Sequence, residues 1–140
     1  MFSLVIGLLT MTTASDSLIT LPTEPQALVR EVETEPKAES TETKLIINKI
    51  KEVFGKDAEV MTRIAFAESS LRQFKTDGQV VIGKQTHDIG LFQISPQHKQ
   101  TWEKLGLDPY ELEGNIKFAQ VLFQESGTKP WDASKNNWQN

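Results

Sequence analysis

The sequence predicts an α+β protein, mainly α: several helices with one small antiparallel hairpin or wing. Three observations predict it. From Lys44 onward, apolar residues recur at helical spacing in separate stretches. Two short β-favouring runs, Val80–Ile82 and Ile89–Ile94, interrupt that period and are joined by a polar turn region. Serine, proline and glycine then punctuate the helical stretches at their ends, as at Ser95-Pro96, Gly106 and Gly127.

The elements follow in order. "KLIINKIKEVFG" places Leu45, Ile46, Ile50, Val53 and Phe54 on one stripe, with lysines opposite and Gly55 as a stop. A second helix runs from about Asp57, an expected N-cap, through "AEVMTRIAFAESS". Val60, Ile64, Ala67 and Leu71 make one row of it; Met61, Ala65 and Glu68 make the adjoining row. Its small Ala65 and Ala67 let another element approach closely, so this helix is expected to be central. After the hairpin, Ser95-Pro96 opens a third helix that ends near Gly106. Asp108-Pro109-Tyr110-Glu111 repeats the device with capping-box spacing. "GNIKFAQVLFQESG" then supplies Ile116, Ala119, Val121, Leu122 and Phe123 to an apolar helix closed by Gly127. "KPWDASKNNWQN" follows with two tryptophans.

At 140 residues the chain suffices for one modest domain. Its net charge of −4 is unevenly placed: residues 1–43 hold two basic against seven acidic side chains, which leaves the remainder at +1. No basic face there suggests nucleic-acid binding. The absence of cysteine excludes disulfides, thiolate metal sites and cysteine nucleophiles. The run Phe2–Leu9 is short of the roughly 20 apolar residues that span a bilayer. Followed by Thr12-Thr13-Ala14, it resembles the core of an export signal, although no Lys or Arg precedes it; a disordered tail is the other reading of residues 1–19. Residues 20–43, rich in Pro, Thr and Glu, bury too little apolar surface to fold and read as an acidic linker. Residues 44–140 form the folded domain.

Glu68 is the first residue with chemistry in it. A carboxylate beside an apolar helix face loses solvation in its charged form, which raises its pKa and suits it to general acid work. A solvated glutamate near a helix C-terminus is the plainer reading, in a position that the helix dipole disfavours. In "HDIGLFQISPQH", Gln93 stands between Phe92 and Ile94, an odd choice for a buried strand unless its amide has a task. Gly90 suggests close approach by a backbone or ligand. Asp88 is either a second functional carboxylate or a turn residue; Asp77, before Gly78, reads as turn chemistry. His87 and His98 lack a third matched ligand, so no metal is expected. Trp102, Trp131 and Trp138 are expected to pack or anchor rather than to stack on a ligand. Ser69 sits in no G-x-S-x-G elbow and is not a hydrolase nucleophile.

Taken in order, Glu68-Ser69, "DIGLFQIS", Asn115-Ile116 in "GNIKFAQVLF" and "GTKPW" resemble the lysozyme-like superfamily, especially its soluble-type lytic transglycosylase domains. The Glu-Ser pair alone is common by chance, but the ordered combination is specific. It runs from about Leu45 to Trp138. The resemblance implies cleavage of the β-1,4 bond between N-acetylmuramic acid and N-acetylglucosamine in peptidoglycan, with Glu68 as general acid and then base. It implies a groove between helix and hairpin whose substrate contacts come from Ser69, Gly90, Leu91, Phe92, Gln93, Tyr110 and Asn115. Asp88 aligns with the second carboxylate of c-type lysozymes, where lytic transglycosylases more often lack an acid, so both hydrolysis and anhydro-ring formation stay open. No cofactor is implied, and an exported monomer is expected. A non-catalytic peptidoglycan-binding or envelope-assembly module is the rival from another class; an enzyme for another N-acetylglucosamine polymer, such as chitin, is a third reading.

Overall fold

The computed structural model describes residues 40–139; residues 1–39, which hold the signal-like run and most of the acidic linker, lie outside the described residues, as does Asn140. What is described is mainly helical. The first helix, α1 (Thr41–Phe54), begins earlier than Lys44 because Ser40 caps it, its Oγ accepting the Thr43 amide at 3.1 Å. Ile46, Ile50 and Phe54 are its buried face, while Leu45 of the expected stripe is exposed. Gly55 stops it with φ at +56°.

After a 3-10 turn (Gly55–Asp57), α2 (Ala58–Ser69) buries Met61, Ile64 and Ala65. Asp57 stands at the N-cap position without a side-chain cap bond. No glycine ends α2. Ser70 and Leu71 both take φ of +56°, and their amides donate to Phe66 and Ala65 at 2.8 and 3.3 Å. Burial of Leu71 beneath the helix end offsets that strain.

The expected hairpin is not there as paired strands. Among the described residues the pairing reduces to three isolated antiparallel bridges, Phe74–Val80, Ile82–Ile89 and Ile89–Ile94. Ile89–Ile94 is a closed turn and not a strand: the two isoleucines exchange backbone hydrogen bonds of 2.9 Å each, and Gly90 (φ +68°) and Gln93 (φ +48°) fold the residues between. The apolar run there reflects a loop plugged into the core, with Ile89, Leu91, Phe92 and Ile94 all buried.

A 3-10 turn (Pro96–His98) precedes α3 (Lys99–Leu105), which Gly106 ends in a left-handed conformation. Asp108 does not cap the next helix. Its Oδ1 accepts the Tyr110 amide at 2.9 Å within a turn, and α4 (Leu112–Ser126) starts only at Leu112. Ile116, Phe118, Ala119 and Leu122 of α4 are buried, with Val121 and Phe123 of the expected face only half-buried. Gln120 donates to the Val53 carbonyl at 2.6 Å, satisfying one of the open acceptors at the end of α1. A 3-10 segment (Lys129–Ser134) and the short α5 (Lys135–Trp138) complete the described chain. α1 packs on α2 and α4, and α5 returns to α2. Trp102, Trp131 and Trp138 are all buried. Phe92 lies centrally, its ring 5.8 Å from that of Phe54 and 5.9 Å from that of Trp131.

The buried turn is clamped by polar side chains. Leu91 N–H donates to Gln73 Oε1 at 2.7 Å and Phe92 N–H to Asn115 Oδ1 at 2.9 Å. The Leu91 carbonyl accepts from Ser69 Oγ at 2.8 Å and the Phe92 carbonyl from Trp131 Nε1 at 2.9 Å. Gln73 and Asn115 have no exposed surface, and every buried side-chain nitrogen and oxygen among the described residues has a partner. Gly90 makes the clamp fit: a Cβ there would lie 2.3 Å from Gln73 Oε1 and 2.6 Å from Asn115 Nδ2. Gly90→Ala is therefore expected to lose about 2–4 kcal/mol, from positive φ and overpacking together. Urea unfolding measures it, and a loss well under about 1 kcal/mol would mean that the clamp tolerates a methyl group.

Candidate active site

Glu68 is the penultimate residue of α2, so its position is set by the helix and by the strained exit that follows. Its side chain is half-buried. Ser134 Oγ, brought in where the C-terminal segment returns to α2, donates to Glu68 Oε1 at 2.5 Å. Burial holds the Glu68 carboxyl above the ordinary carboxylate range; the Ser134 hydrogen bond pulls it back down in part, and the negative charge of Asp88 pushes it up again. A carboxyl with a pKa raised by partial desolvation keeps its proton to higher pH than a solvated one, as general acid work requires.

Asp88 belongs to the turn that enters the buried loop. Its backbone carbonyl accepts from the Gly83 amide at 2.8 Å, and its Oδ2 accepts from Thr86 Oγ1 at 2.5 Å. The turn reading of Asp88 is thus met, and its charge acts on Glu68. With Gln93, Ile94, Ser95, His98 and Trp131, Asp88 lines a concavity of about 120 Å³. Gln93 is half-buried, and its Nε2 donates to the Gly90 carbonyl at 2.8 Å. Its φ of +48° is unusual for a residue with a side chain, a local strain of the kind that gathers at functional sites.

No protein-family model, curated protein or solved structure matches the chain.

The expected site residues divide sharply. Glu68, Asp88 and Gln93 keep solvent access. Leu91, Phe92 and Asn115 have none, and Ser69 and Gly90 are buried. The expectation that these five line a groove is corrected: the backbone of Leu91 and Phe92 is occupied by side chains of the protein itself, Ser69 and Asn115 among them. Their work is to hold the loop. Tyr110 is half-exposed, but its neighbours are Pro96, Trp102, Leu107 and Asp108 around a separate concavity of about 460 Å³. Asp77 accepts the Gln79 amide at 3.0 Å in a turn, as its glycine neighbour suggested.

Two residues escaped the sequence reading. Ser134 lies between Trp131 and Trp138 in a stretch read for its tryptophans, and no periodicity points it at Glu68. Gln73, between Arg72 and Phe74, lacks even the apolar flanks that single out Gln93, and no local signal marks it.

Because the folded protein binds a proton at Glu68 more tightly than the unfolded chain, this group's stabilisation is complete below the unfolded carboxylate pKa of about 4.3 and is lost as pH rises through the raised folded value. Glu68→Gln removes the titration. The stability of the variant relative to the natural protein should therefore climb with pH from about 4.3 and then level off. Parallel unfolding free energies across that range, in urea titrations at stepped pH, would show Glu68 to be solvated as in the unfolded chain.

Proposed function

We propose that the chain is a lysozyme-like glycosidase that cleaves the β-1,4 bond between N-acetylmuramic acid and N-acetylglucosamine in peptidoglycan, outside the cytoplasm. The reading rests on the ordered motifs from Glu68-Ser69 to "GTKPW", and one observation carries it: the motif glutamate is a half-dry carboxyl with a raised pKa, a hydroxyl partner and a second carboxylate nearby. An arginine or lysine partner would have held Glu68 ionised; here burial and Asp88 favour the acid, opposed in part by the Ser134 hydroxyl.

In this reaction Glu68 gives its proton to the glycosidic oxygen as the bond to the anomeric carbon breaks and positive charge builds on the sugar ring. The resulting Glu68 carboxylate then takes a proton from the attacking hydroxyl, which returns it to the acid. Asp88, on the turn beside it, stabilises the positive ring by its charge. The attacking group sets the product: water gives a reducing end, and the muramic acid's own hydroxyl gives an anhydro end.

Glu68→Gln should lower muropeptide release from purified sacculi by at least about 100-fold, with the fold intact by circular dichroism. Undiminished release would remove Glu68 from the mechanism. Mass spectrometry of the digest identifies the attacking group, and Asp88→Asn should depress reducing-end products selectively if water attacks under the aspartate's influence. An equal yield from Asp88→Asn would leave Asp88 only its turn.

A further inference from the structure

The hydroxyl of Ser134 stands among more partners than one hydrogen can serve. It lies 2.5 Å from Glu68 Oε1 and 3.1 Å from the Trp131 carbonyl, either of which can accept its hydrogen. Trp138 Nε1–H donates to Ser134 Oγ at 3.1 Å and also reaches the Trp131 carbonyl at 3.2 Å. A serine hydroxyl has one hydrogen and two lone pairs. When Glu68 is a carboxylate, the hydrogen points to Glu68 and one lone pair takes the indole N–H. When Glu68 is an acid, the hydrogen turns to the Trp131 carbonyl, and both lone pairs are filled, by Trp138 and by the Glu68 O–H. Both arrangements use the heavy-atom positions already present.

We propose that Ser134 is a positioning residue for Glu68, a hydroxyl rotor that hydrogen-bonds the carboxyl in both of its protonation states without movement of the backbone. Its role in turnover rests on the reading of Glu68 as the acid; the rotor itself does not need it. The need for such a partner follows from the reaction, in which one carboxyl must serve as acid and then as base. A fixed donor would favour the carboxylate alone, and a fixed acceptor the acid alone. Rotation about one C–O bond transfers no proton and needs no reagent.

The surroundings isolate this effect. The indole rings of Trp131 and Trp138 are buried, and Trp131 is tied to the clamped loop through the Phe92 carbonyl. α1 faces the core with Ile46, Ile50 and Phe54, which carry no charge. Of the charged side chains near Ser134 in sequence, Asp132 and Lys135 are exposed; Asp88, on the loop, is the charge whose field acts on Glu68.

The test is carbon-13 NMR titration of the Glu68 carboxyl in the full chain without substrate, for the natural protein, Ser134→Ala, Ser134→Thr and Trp138→Phe, with thermal unfolding as the control for folding. Loss of the hydroxyl removes a bond that is stronger to the ionised carboxyl than to the acid. Ser134→Ala should therefore shift the Glu68 midpoint upward, and Ser134→Thr should restore it. Trp138→Phe leaves the hydroxyl one constraint fewer and should move the midpoint less than Ser134→Ala does. In sacculus digestion the descending alkaline limb of the pH profile should move upward with Ser134→Ala, and kcat should fall at little change in KM. An unmoved midpoint in Ser134→Ala with lowered thermal stability would overturn the proposal and leave Ser134 a turn residue. Should Ser134→Ala not fold, an unmoved NMR midpoint together with an unmoved pH profile in Trp138→Phe, in place of the small shift, overturns it as well. Failure of the natural protein to digest sacculi sinks the glycosidase reading and leaves the titration result standing.

Discussion

Four backbone groups on two consecutive residues hold the structure to its shape. The amides and carbonyls of Leu91 and Phe92 are taken out of water, and each unsatisfied buried group would cost about 1–3 kcal/mol. No neighbouring strand satisfies them. Four side chains do, from three places far apart in sequence: Ser69 and Gln73 at and after the end of α2, Asn115 on α4, and Trp131 in the C-terminal segment. The remaining capacity of two of them goes to the same end. Gln73 Nε2 donates to the Pro109 and Tyr110 carbonyls, and Asn115 Nδ2 to those of Ile89 and Pro109. The loop is thereby a polar rivet between helices, with Phe92 as its apolar head. Truncation of such a fully buried phenylalanine costs about 3–5 kcal/mol, so rivet and head are comparable in weight.

Glu68 is positioned by the same rivet. Ser69, next to Glu68, bonds the Leu91 carbonyl, and Trp131, three residues before Ser134, bonds the Phe92 carbonyl. Glu68 and its hydroxyl partner thus approach each other from two elements fastened to adjacent peptide groups. Asp88 enters from the loop itself. Three groups that meet nowhere in the sequence are referred to one local frame, and that frame is rigid because its polar contacts are saturated.

The helices were legible because their signals are local. A 3.6-residue apolar stripe and a glycine stop define α1 and α4 without reference to anything distant, and Ser95-Pro96 announces the turn into α3. The hairpin was legible only in part: one antiparallel bridge, Ile82–Ile89, joins the two expected runs, but an apolar run measures burial and not extension. Ile89, Leu91, Phe92 and Ile94 are buried as a strand's residues would be, but side-chain amides replaced the partner strand, and two positive φ angles closed the loop. The same substitution explains the misassigned site residues. Asn115 and Ser69 are polar among apolar neighbours, which points equally to a ligand and to a buried backbone group in need of a partner; only their zero or near-zero exposure separates the two. Ser134 had no local signal at all, since its significance is a contact across 66 residues.

On the proposed glycosidase reading, desolvation alone would make Glu68 a poor catalyst for a two-step reaction. A carboxyl held strongly in the acid form gives its proton slowly and, once ionised, sits as an unsupported charge in a partly dry site. A permanent cationic partner would reverse the fault, since the proton would be lost to solvent before the substrate arrived. The neighbours in this fold oppose each other instead: burial and Asp88 favour the acid, and the Ser134 hydroxyl favours the anion. A hydroxyl suits this balance better than an amide. A side-chain amide has its donors and its acceptor on different atoms and must flip to exchange them, whereas an O–H group carries both functions on one atom already in contact. Placement of that atom between the Trp138 indole N–H and the carbonyl of Trp131, itself anchored to the rivet, keeps it within reach of Glu68 whichever way its hydrogen points.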